Sequence, residues 1–466
     1  MKKILLTLLV LTSILGTNNC SPETKNTGSL DKFIPLALLG GNTGDIASGS
    51  NSADGGNNNG SGNTSPSVVE APTFSPVAGH YTTPQNIGIS TTTSGADIYY
   101  TTDGSEPTTS STPYTQPLHI WRIAGKTIKA IAVKTSLANS PTLAGQFSYP
   151  PLKTGQTTSY ATGDDGANEY GATRSYTGPT QHTTYTSDYT TTDNATGFVW
   201  KTCSQGKSGA TCATGTALSM NWLDAQTGTN GCNALNSTNS GNGYAGIKTW
   251  RLPNRRELES LQQYELGSPS INMTVFPGTN AYHYWSSTEY ANIPSLNAWV
   301  VSFESSIVMP AGKIGNVHVR CISGNSNEYS SSFSDGGGGI VKDNVTGLIW
   351  QKCSRGQTND SSCTGTATTT TWGNAITYCN GLNLLGKTWR LPNVNELRSI
   401  LDINKANFPT INLTIFPSSV NNVYWSSTTF DFDTTFAWHV DFQSNGGIYR
   451  TYDKPSTYYV RCVTGP

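Results

Sequence analysis

Nine cysteines are the residues whose type and spacing point most directly to chemistry in this sequence. Eight of them form two groups of four at matching places, and none of their spacings is C-x-x-C. That spacing would indicate zinc, so its absence favours disulfides, with three pairings open in each group. The groups are Cys203, Cys212, Cys232 and Cys321, and Cys353, Cys363, Cys379 and Cys462.

The sequence contains no recognisable catalytic pattern. It lacks the G-x-S-x-G, H-E-x-x-H and phosphate-loop motifs of common enzyme classes. Its histidines are scattered, and we predict that the protein is not an enzyme. They are His80, His119, His182, His283, His318 and His439.

The low content of charged residues limits the classes of partner that the protein can attract. Only 12% of the 466 residues are charged, about half the usual share, and the formal net charge is -1. This balance gives no electrostatic attraction toward nucleic acid or an anionic membrane face. We therefore predict no nucleic-acid partner.

The first twenty residues predict export. Two lysines precede residues 4–15, a mostly apolar run that is too short to span a bilayer. Cys20 follows where cleavage would fall, as at the acylation site of bacterial lipoproteins. We predict a signal peptide over 1–20 with lipid on Cys20, and hence a surface-exposed outer-membrane lipoprotein. The alternative is ordinary secretion, with Cys20 removed or free.

Two segments precede the larger part of the chain. Residues 21–67 are rich in Gly, Ser and Asn and predict a disordered tether, because they cannot bury enough apolar surface to fold. Residues 68–150 alternate polar and apolar positions and carry an Asp-Gly turn, which predicts a small all-β domain.

Three motifs of residues 68–150 resemble the chitobiase/β-hexosaminidase C-terminal-type domain. They are PVAGHY at 76–81, YTTDGSEPT at 100–108 and IKAIA at 128–132. The resemblance implies a fibronectin-III-like β-sandwich that acts as an accessory module.

The rest of the chain is an internal repeat, over 151–324 and 325–466. Ten of the eleven tryptophans fall into five matched pairs, so they belong to the architecture of the repeated module. Matching motifs are DNATGFVW at 193–200 and DNVTGLIW at 343–350, WRLPN at 250–254 and 389–393, YWSST at 284–288 and 424–428, and VRC at 319–321 and 460–462.

These motifs resemble the Lcl C-terminal domain-like family. The resemblance implies two α+β modules of C-type lectin-like architecture and a role in extracellular recognition. It also favours local Cys203–Cys212 and Cys353–Cys363 bridges. The remaining pairs, Cys232–Cys321 and Cys379–Cys462, would tie an early helix to the last strand, each constraining the unfolded chain by about 4 kcal/mol.

The residues that follow WRLPN predict a helix start. Asn254 can cap the helix and Glu257 can bond back to the cap, with a catalytic or metal-binding carboxylate as the alternative for the glutamate. We expect Arg251 to stack or to form a salt bridge rather than to bind ligand. The counterparts in the second repeat are Asn393, Glu396 and Arg390.

Ligand candidates lie where the two repeats differ, in the loops before the matching Ala-Trp pairs at 298–299 and 437–438. Aromatic and acidic side chains there could stack on a sugar or hold Ca²⁺. An ordinary variable loop is the alternative, and the sequence lacks the motifs of calcium-dependent lectins. No cofactor is expected, because the sequence gives Ca²⁺ no further support. The candidates are Glu289, Tyr290, Phe430, Asp431, Phe432 and Asp433.

Together these features predict a non-enzymatic surface lipoprotein that binds a carbohydrate, matrix or protein ligand. The alternative is a structural or accessory protein of the cell envelope without a soluble ligand.

The anchor can be tested by Cys20→Ala. Loss of the acylated thiol should move the protein from the detergent phase to the aqueous phase, as measured by Triton X-114 partitioning, and wild type should carry acyl mass. An unchanged partition would contradict the anchor.

Overall fold

The computed structural model describes residues 67–326, 331–443 and 452–465. They lie within one compact unit, 64–466. The predicted signal peptide, lipidated Cys20 and most of the tether fall outside the described residues. No helix among the described residues is both long enough and apolar enough to cross a membrane.

Two sheets form the module that precedes the repeats. Its elements are β1 (Thr73–Ser75), β2 (Gly79–His80), β3 (Asn86–Ser90), β4 (Asp97–Thr101), β5 (Thr112–Pro113), β6 (Leu118–His119), α1 (Ile120–Ile123), β7 (Thr127–Val133) and β8 (Leu143–Ser148). The sheet orders are β1-β3-β6 and β2-β8-β7-β4-β5. Alternation along β3 buries Ile87 and Ile89 against Ile128 and Phe147, consistent with a β-sandwich.

The first repeat is mostly strand with short helices. Its elements are α2 (Asp165–Asn168), β9 (Tyr176–Gln181), β10 (Tyr189–Asp193), β11 (Phe198–Lys201), β12 (Lys207–Ser208), β13 (Thr214–Gly215), β14 (Ser219–Met220), α3 (Trp222–Thr227), a 3-10 helix (Cys232–Ser237), α4 (Thr238–Gly241), a second 3-10 helix (Tyr244–Gly246), β15 (Trp250–Arg251), α5 (Arg255–Glu259), β16 (His283–Glu289), β17 (Asn297–Ser302), β18 (Val308–Gly312), β19 (Val317–His318) and β20 (Ile322–Ser323). Its main sheets are β15-β20-β11-β10-β9 and β14-β19-β16-β17-β18.

The second repeat follows the same plan. Its elements are β21 (Phe333–Gly337), β22 (Ile340–Asp343), β23 (Ile349–Gln351), α6 (Trp372–Asn380), α7 (Val394–Ser399), β24 (Val423–Thr429), β25 (Phe436–Asp441), β26 (Tyr452–Asp453) and β27 (Val463–Thr464). The sheets β21-β22-β23-β27 and β24-β25-β26 correspond to the two main sheets of the first repeat. The predicted internal repeat is therefore confirmed, with more strand and less helix than expected.

Each repeat is closed by two disulfides. The pairs are Cys203–Cys212, Cys232–Cys321, Cys353–Cys363 and Cys379–Cys462. These are the bridges that the family resemblance favours. The longer bridge of each repeat joins a helical segment to the residue before the last strand, and so fastens the helical side of the repeat to its sheet.

The predicted capping boxes are present at both equivalent helices. In α5, Asn254 accepts from the backbone N–H of Glu257 while the Glu257 carboxylate accepts from the backbone N–H of Asn254. Both oxygens of that carboxylate also accept from Arg251, at 2.7 Å each. Asn393, Glu396 and Arg390 repeat the arrangement in the second repeat. Both carboxylates are therefore engaged in helix capping and in pairing with arginine, as the capping interpretation predicted.

The tryptophan pairs divide between two kinds of core. Trp250 and Trp285 lie in a core of the first repeat alone, and their counterparts lie in a core of the second. Trp200 and Trp299 instead share one continuous core with Trp350 and Trp438. The two repeats are therefore joined through their interiors.

A buried charge cluster crosses this shared core. Glu259 in α5 and Arg398 in α7 occupy equivalent positions of the two repeats, and they form an ion pair with each other. Glu259 also pairs with Arg255 at 2.6 Å, while Arg398 donates to the Tyr264 hydroxyl at 2.5 Å. Burial alone would raise the pKa of Glu259, but Arg255 and Arg398 outweigh burial and lower it.

The β-sandwich module contacts one turn of each repeat. The turns are those of the D-N-x-T-G motifs, and their glycines have φ of 71° and 77°. A Cβ on Gly197 would lie 2.6 Å from the His119 ring, and one on Gly347 would lie 2.3 Å from the His80 ring. Glycine is therefore required at both positions, because a histidine of the sandwich lies too close to each turn to leave room for a side chain.

Removal of Arg398 tests the joint between the repeats. Arg398→Ala leaves Glu259 buried with one cation fewer, and breaking such a pair typically costs about 3–5 kcal/mol. Urea unfolding should show that loss in the free energy of unfolding. Lys387→Ala, at an exposed lysine of the second repeat, is the control and should be neutral. A loss below about 1 kcal/mol for Arg398→Ala would mean that the cluster does not hold the repeats together.

Candidate functional site

The predicted ligand loop of the second repeat packs partly into the protein. Phe430 is 9% exposed and meets the Trp438 ring edge to face in the shared core, so it offers no open ring face. Phe432 is 54% exposed. Asp431 accepts from the Gly267 backbone N–H at 3.1 Å, across to the first repeat. Asp433 accepts from the Thr435 N–H and hydroxyl, which closes the turn of the loop. Any binding by these residues stays a prediction.

The corresponding residues of the first repeat are also engaged. Glu289, half exposed, pairs with Lys313 at 2.6 Å. Tyr290 packs edge to face on Trp299 at 5.2 Å. No cluster of three or more His, Cys, Asp or Glu side chains suited to a metal occurs in the part of the chain that the structure describes.

A large concave surface lies between the sandwich and the first repeat, and we call it the interdomain groove. It measures about 650 Å³. Asn86 of β3, Tyr100 of β4 and the loop residue Gln116 line its sandwich side, while Thr192 and Asn194 line the opposite side. The Asn194 amide already bonds the Ser175 and Thr177 hydroxyls. The amides and the tyrosine on the sandwich side are therefore the groups that this cleft, at a domain interface, offers to a small polar ligand.

His119 holds the floor of the interdomain groove in place. It caps α1 by accepting from the Trp121 N–H through Nδ1, so Nε2 carries the proton and donates to the Asn194 carbonyl at 3.3 Å. Burial, aided by nearby Arg122, lowers the pKa of His119 to about 4. The ring is therefore neutral at physiological pH and acts as a spacer between the modules.

The charge of the interdomain groove is positive. Arg122 and Lys126 line it, and none of the described residues that line it is acidic. The Arg122 guanidinium lies over the Phe198 ring, 5.3 Å from its centre, and donates to the Gly197 carbonyl at 3.3 Å. The first repeat thereby positions a cation that the sandwich carries. The groove can accept a ligand with hydroxyl groups and an acidic group.

Comparison with known protein families identifies the domains of the chain. Residues 189–323 and 339–464, more than half of the chain, match the Lcl C-terminal domain. The chain belongs to the Lcl C-terminal domain family. Residues 76–144 ahead of the two Lcl C-terminal domains match the chitobiase/beta-hexosaminidase C-terminal domain. A search of curated proteins found no match. Both domains are of the kind found in carbohydrate-binding or surface proteins.

Sequence reasoning missed the residues of the interdomain groove. They come from the sandwich and from the first Lcl C-terminal domain, and no motif links Gln116 to Asn194. The one available signal was the glycine retained in both D-N-x-T-G turns, since a retained glycine indicates a close approach. That signal marks a contact but does not say what makes it.

Two neighbouring phenylalanines test the placement of the loop in the second Lcl C-terminal domain. Phe430→Ala removes a core ring and should lower the free energy of unfolding by about 3–5 kcal/mol. Phe432→Ala removes a half-exposed ring that contacts Phe430 at 5.3 Å, and should lower it by about 1 kcal/mol or less. Thermal and urea unfolding of both variants measure this difference. Equal effects would contradict the packing of the loop.

Proposed function

We propose that the protein is a non-enzymatic, surface-anchored binding protein whose carbohydrate ligand lies in the interdomain groove. The observation that carries the proposal is the groove itself, with its amides, its tyrosine and two cations between two modules of carbohydrate-binding or surface type. The lipid on Cys20 and the position at the outer surface of the cell are part of the same proposal. So is the likeness of the repeats to C-type lectin-like domains.

The chemistry of the lining selects the ligand. Amide groups donate and accept hydrogen bonds, as sugar hydroxyls require, and a tyrosine ring offers an apolar face to the C–H side of a sugar. Arg122 and Lys126, without a lining carboxylate, favour an acidic sugar over a neutral one. We therefore propose an oligosaccharide that bears a carboxylate, such as one containing a uronic acid.

The absence of catalysis is also a proposal, and the use of the acidic groups supports it. Glu257 and Glu396 bind arginines and cap helices, and Glu259 lies within the shared core. The carboxyl groups of Asp193 and Asp343 are buried beneath the glycine turns, and burial raises the pKa of each to about 6. None of these carboxyl groups lines the interdomain groove.

A glycan array probed with the full chain, followed by titration of the bound class, tests the function. Uronate-containing oligosaccharides should bind, and affinity should fall as salt rises because the attraction is screened. Lys126→Ala should weaken binding roughly 10- to 100-fold, the equivalent of one charge-assisted hydrogen bond of about 1.5–3 kcal/mol.

The matched control is Lys387→Ala, which removes an exposed lysine of the second repeat and should bind like wild type. Equal affinity of the two lysine variants would place the ligand elsewhere. No glycan binding at all, together with crosslinking of the chain to another envelope protein in membranes, would favour the structural envelope role instead.

A further inference from the structure

Another cavity lies where the sandwich and the two repeats meet, and we call it the junction cavity. Ala124 of the sandwich, Ser260 of the first repeat and Val345 of the second all line it. It measures about 100 Å³. A water needs only about 10–15 Å³ of such space, and an engineered cavity of about 150 Å³ binds benzene. The junction cavity therefore has room for a small organic molecule.

Apolar side chains make up most of the wall of the junction cavity. Leu152, in the segment that joins the sandwich to the first repeat, is 4% exposed, and Val345, in the glycine turn of the second repeat, is 6% exposed. Trp121 of α1 also lines the cavity and packs edge to face on Tyr149 at 6.1 Å. A wall of this kind favours an occupant with a hydrocarbon part.

The charged side chains of the wall are mostly cations. Lys126, Arg174, Arg256 and Arg398 line the junction cavity together with one carboxylate, that of Glu259. Four cations and one carboxylate leave an excess of three positive charges. Glu259 does not offset the other cations, because it is already paired with two arginines of the shared core. An anion in the cavity would therefore compensate positive charge that is partly removed from water.

Arg174 is fixed at this wall by backbone oxygens. Its guanidinium donates to the carbonyl of Lys153 at 3.0 Å, to that of Gln262 at 2.7 Å and to that of Ser260. It forms no salt bridge with a carboxylate in the part of the chain that the structure describes. The carbonyls hold the guanidinium in place and leave its charge uncompensated, which suits it to a carboxylate ligand.

Tyr149 adds a donor to the same wall. The residue is 3% exposed, and its hydroxyl forms no hydrogen bond with any described residue. Burial, aided by the charge of Asp193, raises the pKa of Tyr149, so the phenol keeps its proton. A buried hydroxyl without an acceptor is unfavourable. The hydroxyl and the cations are all donors, and together they select an occupant that accepts hydrogen bonds.

We propose that the junction cavity binds a small carboxylate with a short hydrocarbon tail. The carboxylate lies toward Arg174, and the tail lies against Leu152 and Val345. Such an occupant contacts the sandwich and both repeats, so its binding stabilises the arrangement of the three modules. Lys126 lines both this cavity and the interdomain groove, but the two sites are otherwise built from different residues. The proposal does not rest on glycan binding.

Butyrate is the probe, because it is small and carries one carboxylate on a short chain. Calorimetric titration into the full chain carrying Cys20→Ala should show one butyrate per chain with a Kd below about 1 mM. Saturating butyrate should also raise the melting temperature. Butyramide has the same shape without the charge, and acetate lacks most of the tail. Each should bind roughly tenfold more weakly, or weaker still.

Substitutions of the wall locate the site. Ala124→Leu places a larger side chain in the cavity and should abolish butyrate binding, whereas Ala144→Leu, at an exposed alanine of β8, should bind like wild type. Arg174→Gln and Arg174→Lys both remove the guanidinium, and only the lysine retains the charge. The glutamine variant should therefore bind butyrate roughly tenfold more weakly than the lysine variant.

Several outcomes would overturn the proposal: no butyrate binding, undiminished binding by Ala124→Leu, or equal losses in the two Arg174 variants. Equal affinity for butyrate and butyramide, or for butyrate and acetate, would overturn it as well. The ligand comparisons use the unaltered wall, so they decide even if a variant unfolds. None of these outcomes bears on the interdomain groove, which neither Ala124 nor Arg174 lines.

Discussion

One buried contact makes the two repeats a single body: the ion pair between Glu259 and Arg398. The two residues stand at equivalent positions, so identical repeats would place like charges together in a site of low dielectric. Opposite charges allow the two helices to approach and let Trp200, Trp299, Trp350 and Trp438 share one core. A desolvated pair is costly unless it is fully engaged, and Arg255 and Tyr264 complete it.

The sandwich depends on this joint, because it contacts a turn from each repeat. His119 meets Gly197 and His80 meets Gly347. With the repeats held in one orientation, both contacts can form at once, and the interdomain groove opens beside the first of them. A binding site made from two modules keeps its shape only if their relative position is rigid. In this protein the core between the repeats supplies that rigidity at some distance from the groove.

Duplication gave two copies of the YWSST strand, and the chain engages their ends differently. Residues 154–168, the lead-in of the first repeat, reach the second repeat, where Asp165 accepts from the Thr428 hydroxyl and the Gln156 amide pairs with the Thr429 backbone. At the equivalent place of the first repeat, Glu289 pairs instead with Lys313.

The sequence by itself determined the repeat, the disulfide-rich modules and the capped helices, because these depend on local order and on motifs that occur twice. Asn254 and Glu257 cap a helix through contacts three residues apart, which spacing reveals. Only the tertiary structure decided that Phe430 is core, that Glu259 meets Arg398, and that the groove joins Gln116 to Asn194. These contacts join residues tens to hundreds of positions apart, and they follow from how whole modules pack, which no local pattern encodes.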